Sequence, residues 1–201
     1  MIERKRKYIF NILPTLLGIS VFWNCAVDVK QVPRGGFPNS NPIAYNEPVY
    51  IGKFEVLDNT EIGYSSAWKH AFRSSLLDNR VFSEVIANLP SEKRAANSLV
   101  LDVEISPNYE EKYNMWWTWP AIYPFTFTWP VQMRTGNYSI TIRYSLYREN
   151  QIITQSKIEE RSSETVTIYG FYHTPPFENM IQTTNAKALV LCASNISKKP
   201  Q

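Results

Sequence analysis

A chain of 201 residues and 23.3 kDa holds one domain with tails rather than two full-sized globules. With 44% hydrophobic and 19% charged residues it can bury a core, which excludes a disordered or collagen-like chain. Seven glycines leave little for phosphate-cradling loops, and two histidines with two cysteines leave little for a zinc site, so no cofactor and no metal is expected.

The net charge of +3 is a property of one end. Four of the 21 basic residues (Arg4, Lys5, Arg6, Lys7) and one of the 18 acids (Glu3) lie in the first 24 residues, so residues 25–201 carry 17 of each. The remainder exerts no overall pull on polyanions, and nucleic acid is not an expected partner.

After the basic run, Tyr8 to Trp23 is uncharged and mostly apolar and ends at Asn24-Cys25. Positive charges held on the cytoplasmic side and an apolar stretch shorter than the ~20 residues of a spanning helix describe an export signal over residues 1–24. Pro14 and Asn11 weaken a spanning reading further. The residues Phe22-Trp23-Asn24-Cys25 resemble the lipobox of bacterial lipoproteins. Phe22 and Asn24 replace the usual leucine and small residue, as in the relaxed lipoboxes of spirochaetes. The resemblance implies that the Cys25 sulfur takes a diacylglyceryl group and that the chain is cut before it. Several acyl chains, each worth ~0.8 kcal/mol per buried methylene, would then anchor the protein to the bilayer stably. The competing reading makes Cys25 a small apolar residue closing an uncleaved single-span anchor. Both readings put the body outside the cytoplasm. The first places it in the cell envelope, lipid-anchored to a bacterial membrane, the outer in preference to the inner. If Cys25 is acylated, Cys192 has no disulfide partner; it lies in an apolar run and reads as a buried free thiol.

Residues 25–47 contain Pro33, Gly35, Gly36, Pro38 and Pro42 without sustained periodicity and read as a tether ahead of a single domain over 48–199. Val49–Leu57 is β-branched and aromatic, a first strand stopped by Asp58-Asn59. From Ser65, the residues Trp68, Ala71, Phe72, Ser75, Leu76 and Asn79 fall at helical spacing, and Val81–Ile86 reads as a second strand. Leu99, Leu101, Val103 and Ile105 alternate as a third strand over 99–106. Asp102 and Glu104 occupy its solvent face, where a carboxylate pair at i, i+2 is ordinary and not catalytic.

Tyr138 to Tyr147 alternates most clearly of all, Arg148 to Gln151 reads as a hairpin turn with Asn150 at positive φ, and 152–166 is the return strand. Thr174 caps a final helix with Pro175 at its first position, and Phe177, Ile181, Thr184, Ala188, Leu191 and Asn195 form its stripe. The expected fold class is therefore α+β: a single antiparallel-rich sheet with an N-proximal helix and a C-terminal amphipathic helix packed on one face.

Between the third strand and the meander, residues 114–130 hold four of the six tryptophans, Trp116, Trp117, Trp119 and Trp129, with no charge. Pro120, Pro124 and Pro130 argue against an uninterrupted helix or a central strand. The rings either pack inside or touch a membrane interface or protein partner. Asn114, Trp119-Pro120, Phe127, Trp129 and Tyr138 resemble a group of uncharacterised bacterial lipoproteins with aromatic-Pro motifs, which implies a periplasmic lipoprotein and no activity. The order of strand, helix and Val81-Phe82 strand is similar to periplasmic assembly lipoproteins that bind other envelope proteins, a fold-level analogy. His70 and His173 have no local nucleophile or metal-ligand spacing, so no catalysis is expected. The first expectation is a lipid-anchored envelope protein that binds another envelope protein. A single-span inner-membrane protein comes second, and an envelope enzyme with a non-local site third.

Overall fold

The computed structural model describes residue 29 and residues 43–57, 65–87, 98–118, 130–169 and 173–198, excepting the side chains of 115–118, 130–132 and 169. The elements are β1 (Val49–Val56), α1 (Ser65–Asp78), β2 (Val85–Ile86), β3 (Leu99–Thr118), β4 (Pro130–Arg148), β5 (Gln151–Tyr169) and α2 (Pro175–Ser197). They form one five-stranded sheet in the order β2-β1-β3-β4-β5. It is a mixed sheet in an α+β fold. β1 runs parallel to β2 and β3, while β3, β4 and β5 form an antiparallel meander.

Alternation explains the layering. Leu101, Val103 and Ile105 on β3 and Tyr138, Ile140, Ile142, Tyr144 and Leu146 on β4 point to one face, and all are buried. Both helices cover that face. From α1 come Trp68, Phe72 and Leu76, and from α2 Ile181, Leu189, Cys192 and Ile196, all in one apolar cluster. The six residues expected on the inner side of α1 are all buried there, Asn79 included.

The expected stripe of α2 fails at its far end. Leu191 is exposed and Asn195 only half-buried, and Cys192 and Ile196 take the inner face instead. The expected positions step by 4, 3, 4, 3 and 4 residues and so stay on one line of a straight helix, whereas the buried arc at this end is centred one residue further on, at Cys192, Ala193 and Ile196. The Thr174 hydroxyl donates to the Glu178 carboxylate at 2.8 Å and makes no bond to the helix backbone.

The end of α1 is a Schellman motif. The Val81 N–H donates to the Leu76 carbonyl and the Arg80 N–H to that of Leu77, both at 3.0 Å. Arg80 takes the left-handed conformation, with φ of 52°. A side chain there is strained, so Arg80→Gly is expected to stabilise the domain by about 1 kcal/mol, read as a rise in urea midpoint. The second strand is shorter than expected. Residues 81–84 round the corner, leaving β2 only Val85 and Ile86 and a single bridge between Tyr45 and Phe82. Those two rings stack at 5.1 Å, and Val29 and Ala44 also pack against the core, so residues inside the segment read as tether already contact the body. At the β4–β5 turn both Glu149 (φ 51°) and Asn150 (φ 62°) are left-handed, as a two-residue type I′ hairpin requires.

The largest departure from expectation is strand length. β3, β4 and β5 run 20, 19 and 19 residues, against 8 for β1. The third strand does not stop at Ser106. Its pairing with β4 continues to Thr118 opposite Pro130, so Trp116 and Trp117 lie in a strand and not in a separate segment. The prolines permit this by position. Pro120 and Pro124 fall in the connection, and Pro130 is the first residue of β4, where a proline is tolerated. Pro107 is tolerated for another reason. The Leu57 N–H donates to the Ile105 carbonyl, so Ile105 and, two residues on, Pro107 turn their peptide groups to the β1 side, where β1 has ended. No ladder bond is lost. Beyond Ile105 the sheet is a three-stranded ribbon.

Candidate functional site on the open sheet face

One face of the sheet is covered by helices; the other presents the polar half of each alternating strand. Glu104 pairs with Arg143, Lys53 with Glu55 at 2.8 Å, and Lys157 and Arg161 both hold Glu159. The hydrogen bonds from Arg161 and then Lys157 lower the pKa of Glu159 below the usual carboxylate range. Asp102 and Glu104, the pair weighed for catalysis, are thereby accounted for. Asp102 accepts the Lys53 backbone N–H at 2.7 Å, at the point where β1 shifts register against β3 between Ile51 and Phe54. A Cβ on Gly52 would stand 2.3 Å from Asp102 Oδ1, so glycine is required for that close approach.

Where β1 no longer flanks the meander, the open face holds a hollow of about 470 Å³ lined by Asn108, Glu110, Asn137, Ser139, Arg161 and Ser163. Its floor is a grid fixed by register. Asn108, Ser139 and Arg161 form one cross-strand row and Glu110, Asn137 and Ser163 the next. Short side chains at the centre and longer ones at two diagonal corners make the concavity. Ser163 Oγ donates to Asn137 Oδ1 at 2.8 Å, and the row beyond continues the polar surface with Thr135 and Thr165 hydroxyls 2.6 Å apart. The grid offers amides, hydroxyls, one carboxylate and one guanidinium, with no net charge; Tyr138 also lines the hollow but turns its hydroxyl to Asn185 on the covered face. The grid can hydrogen-bond a polar surface. In the sequence each of these residues looks like the solvent half of an alternating strand; only the cross-strand register brings them together.

On the covered face, the meander and α2 meet at a polar cluster. Arg134 Nη1 donates to Glu111 Oε1 at 2.6 Å, the guanidinium lies 3.9 Å from the centre of the Tyr113 ring, and the Tyr109 hydroxyl donates to Glu111 at 3.1 Å. The Tyr109 ring also meets Phe177 at 6.3 Å, and Phe177 fills the place a side chain at Gly136 would need. Farther in, the Tyr138 hydroxyl donates to Asn185 Oδ1 at 2.7 Å.

The expected site residues divide in two. Cys25, Trp119 and Trp129 lie outside the described residues, as does the whole of 1–28. Trp116 and Trp117 are placed in β3 by their pairing with Gln132 and Val131. His70 and His173 are exposed. Among the described residues no group of three or more His, Cys, Asp or Glu side chains is arranged to hold a metal, and no helix is long and apolar enough to cross a membrane. Cys192 is fully buried, and desolvation pushes its thiol pKa far above its ordinary value of 9.0. The folded chain thus keeps a proton that the unfolded chain releases. That contribution to stability is complete below pH 9 and is lost as the pH rises, at up to about 1.4 kcal/mol per pH unit. Burial also raises Tyr45 and Tyr144 above their ordinary values, which acts in the same direction at higher pH. Urea midpoints are expected to fall between pH 8.5 and 10 in the parent and to fall less in Cys192→Ala.

This geometry defines a one-sided α+β domain built on a long β-meander. The chain belongs to the protein family whose model matches residues 16–197. No curated protein matches it. Solved structures similar to it include a candidate neuraminyllactose-binding hemagglutinin homolog from Helicobacter pylori, at 13% identity and TM-score 0.44, over 86% of this chain and 92% of that one. The hypothetical protein CT253 from Chlamydia trachomatis follows at 9% identity and TM-score 0.40, over 76% and 98%. Rare lipoprotein B from Shewanella oneidensis gives 13% identity and TM-score 0.33, over 75% and 90%.

Proposed function

We propose that the chain is a bacterial cell-envelope lipoprotein whose domain binds another envelope protein, without catalysis. The observation that carries this reading is the order of a basic run, an uncharged apolar stretch and then Cys25 at its end. Residues 1–24 are removed, Cys25 carries the acyl chains, and the segment after it spaces the domain from the bilayer, the outer membrane in preference to the inner. An open, polar sheet face with a hollow in it supports a binding role, since polar groups held in register by strands are already positioned. Trp116, Trp117, Trp119 and Trp129 cluster by sequence around the end of the β3–β4 hairpin, where aromatic rings suit a membrane interface or a partner surface.

Radiolabelled palmitate fed to the native host is expected to label the protein, and Cys25→Ala to abolish both the label and membrane retention. An unlabelled parent, with full retention in that variant, would establish the single-span reading instead. Replacing Trp116, Trp117 and Trp119 together by Ala is expected to leave the thermal midpoint near that of the parent while liposome or partner binding is lost. A large fall in the midpoint would place the rings in the core.

A further inference from the structure

β5 is the last strand of the sheet among the described residues, so one side of its backbone has no described strand beside it. Register tells which groups face that side. With Ile105 turned to β1, the even residues of β3 bond β4, and through Ser106↔Thr141 and Ile140↔Glu160 the even residues of β5 bond β4 in turn. The peptide groups of Arg161, Ser163, Thr165 and Thr167 therefore point outward. No backbone hydrogen bond from a described residue outside the sheet reaches them.

Natural edge strands are blunted by charge or proline. The first half of β5 is blunted, by Lys157, Glu159, Glu160 and Arg161. The second half, Ser162 to Tyr169, holds one charge, Glu164, no Pro or Gly, and the run Thr165-Val166-Thr167-Ile168-Tyr169. The other edge of the ribbon, on β3, is closed to pairing at Pro107, which has no N–H to offer there. A head-to-tail β3–β5 contact, which would propagate into fibres, is thereby disfavoured; β5 against β5 closes on itself.

We propose that this edge is a self-association surface, on which a second copy of the chain pairs its own β5 antiparallel to make one sheet across two copies. A twofold axis at Thr167 sets that residue opposite its counterpart and Val166 opposite the partner's Ile168, an apolar cross-strand pair on the helix-covered face. It also leaves residues 157–161 outside the pairing, whereas an axis at Thr165 would bring Arg161 and Glu164 into it. The surface belongs to the domain and does not depend on acylation of Cys25.

The test is oxidative cross-linking of the full chain in native membranes. Thr167→Cys is expected to form a disulfide-linked dimer several-fold more abundantly than the parent chain or Gln155→Cys, which stands on the same edge far from the axis. Adding Thr165→Pro, which removes an outward N–H and no bond to β4, is expected to abolish that dimer while the purified variant still melts cooperatively. In detergent, sedimentation should find dimers for the parent and monomers for Thr165→Pro. Equal cross-linking at 155 and 167, or a parent that sediments as a monomer at every concentration, would overturn the proposal. If Thr165→Pro unfolds, Thr167→Asp, which places like charges opposite each other on the axis, is expected to separate the copies; dimers that survive it count against the proposal.

Discussion

Replacing Trp68 by alanine is expected to cost the domain about 3–5 kcal/mol, the range for removing a large buried aromatic. Trp68 is fully buried and belongs to the single apolar cluster that joins α1 to the sheet and α2. Domains of this size are stable by ~5–15 kcal/mol, so the loss takes a large share of what holds the fold. The indole also carries a debit: its Nε1 is buried with no hydrogen-bond partner among the described residues. A buried donor left unpaired costs about 1–3 kcal/mol, so Trp68→Phe, which keeps a ring and discards the N–H, should cost much less than the alanine variant. Chemical denaturation of both separates the two contributions. Equal losses would mean that the N–H has a partner after all.

The second large effect concerns Arg134 and Glu111, whose side chains are only 9% and 17% exposed. Removing one member of such a pair strands the other charge in a poorly hydrated place, at a cost of about 3–5 kcal/mol for fully buried pairs. Arg134→Met is expected at the lower end, near 3 kcal/mol, because Glu111 keeps some solvent and the Tyr109 hydroxyl. The double variant Arg134→Met with Glu111→Leu removes both charges and should recover most of the loss. If the double variant is as unstable as the single one, the stabilisation comes from packing against Tyr113 and not from the pair.

The covered half of this fold was legible in the sequence, because burial writes itself as periodicity. The alternation of Tyr138 to Leu146 and the α1 stripe from Trp68 to Leu76 each matched the buried set. What was not legible depends on which edge of a strand is paired. Pro107 looks like a strand end until β1 is seen to stop at Val56, opposite Ile105, and Pro130 looks like a breaker until it proves to open β4. The hollow was hidden for the same reason: Asn108, Ser139 and Arg161 are far apart in the chain, and only the register makes them one row. Arg80 at positive φ had no sequence signal, since arginine is not a residue that announces that conformation. The lipobox resemblance is of another kind. It is a local motif read by processing enzymes, and no packing argument bears on it.

The most direct measurement is the intact mass of the protein purified from native membranes. The account predicts a polypeptide beginning at Cys25 with the added mass of a glyceride and its acyl chains. A species that still begins at Met1 and carries no lipid would contradict it.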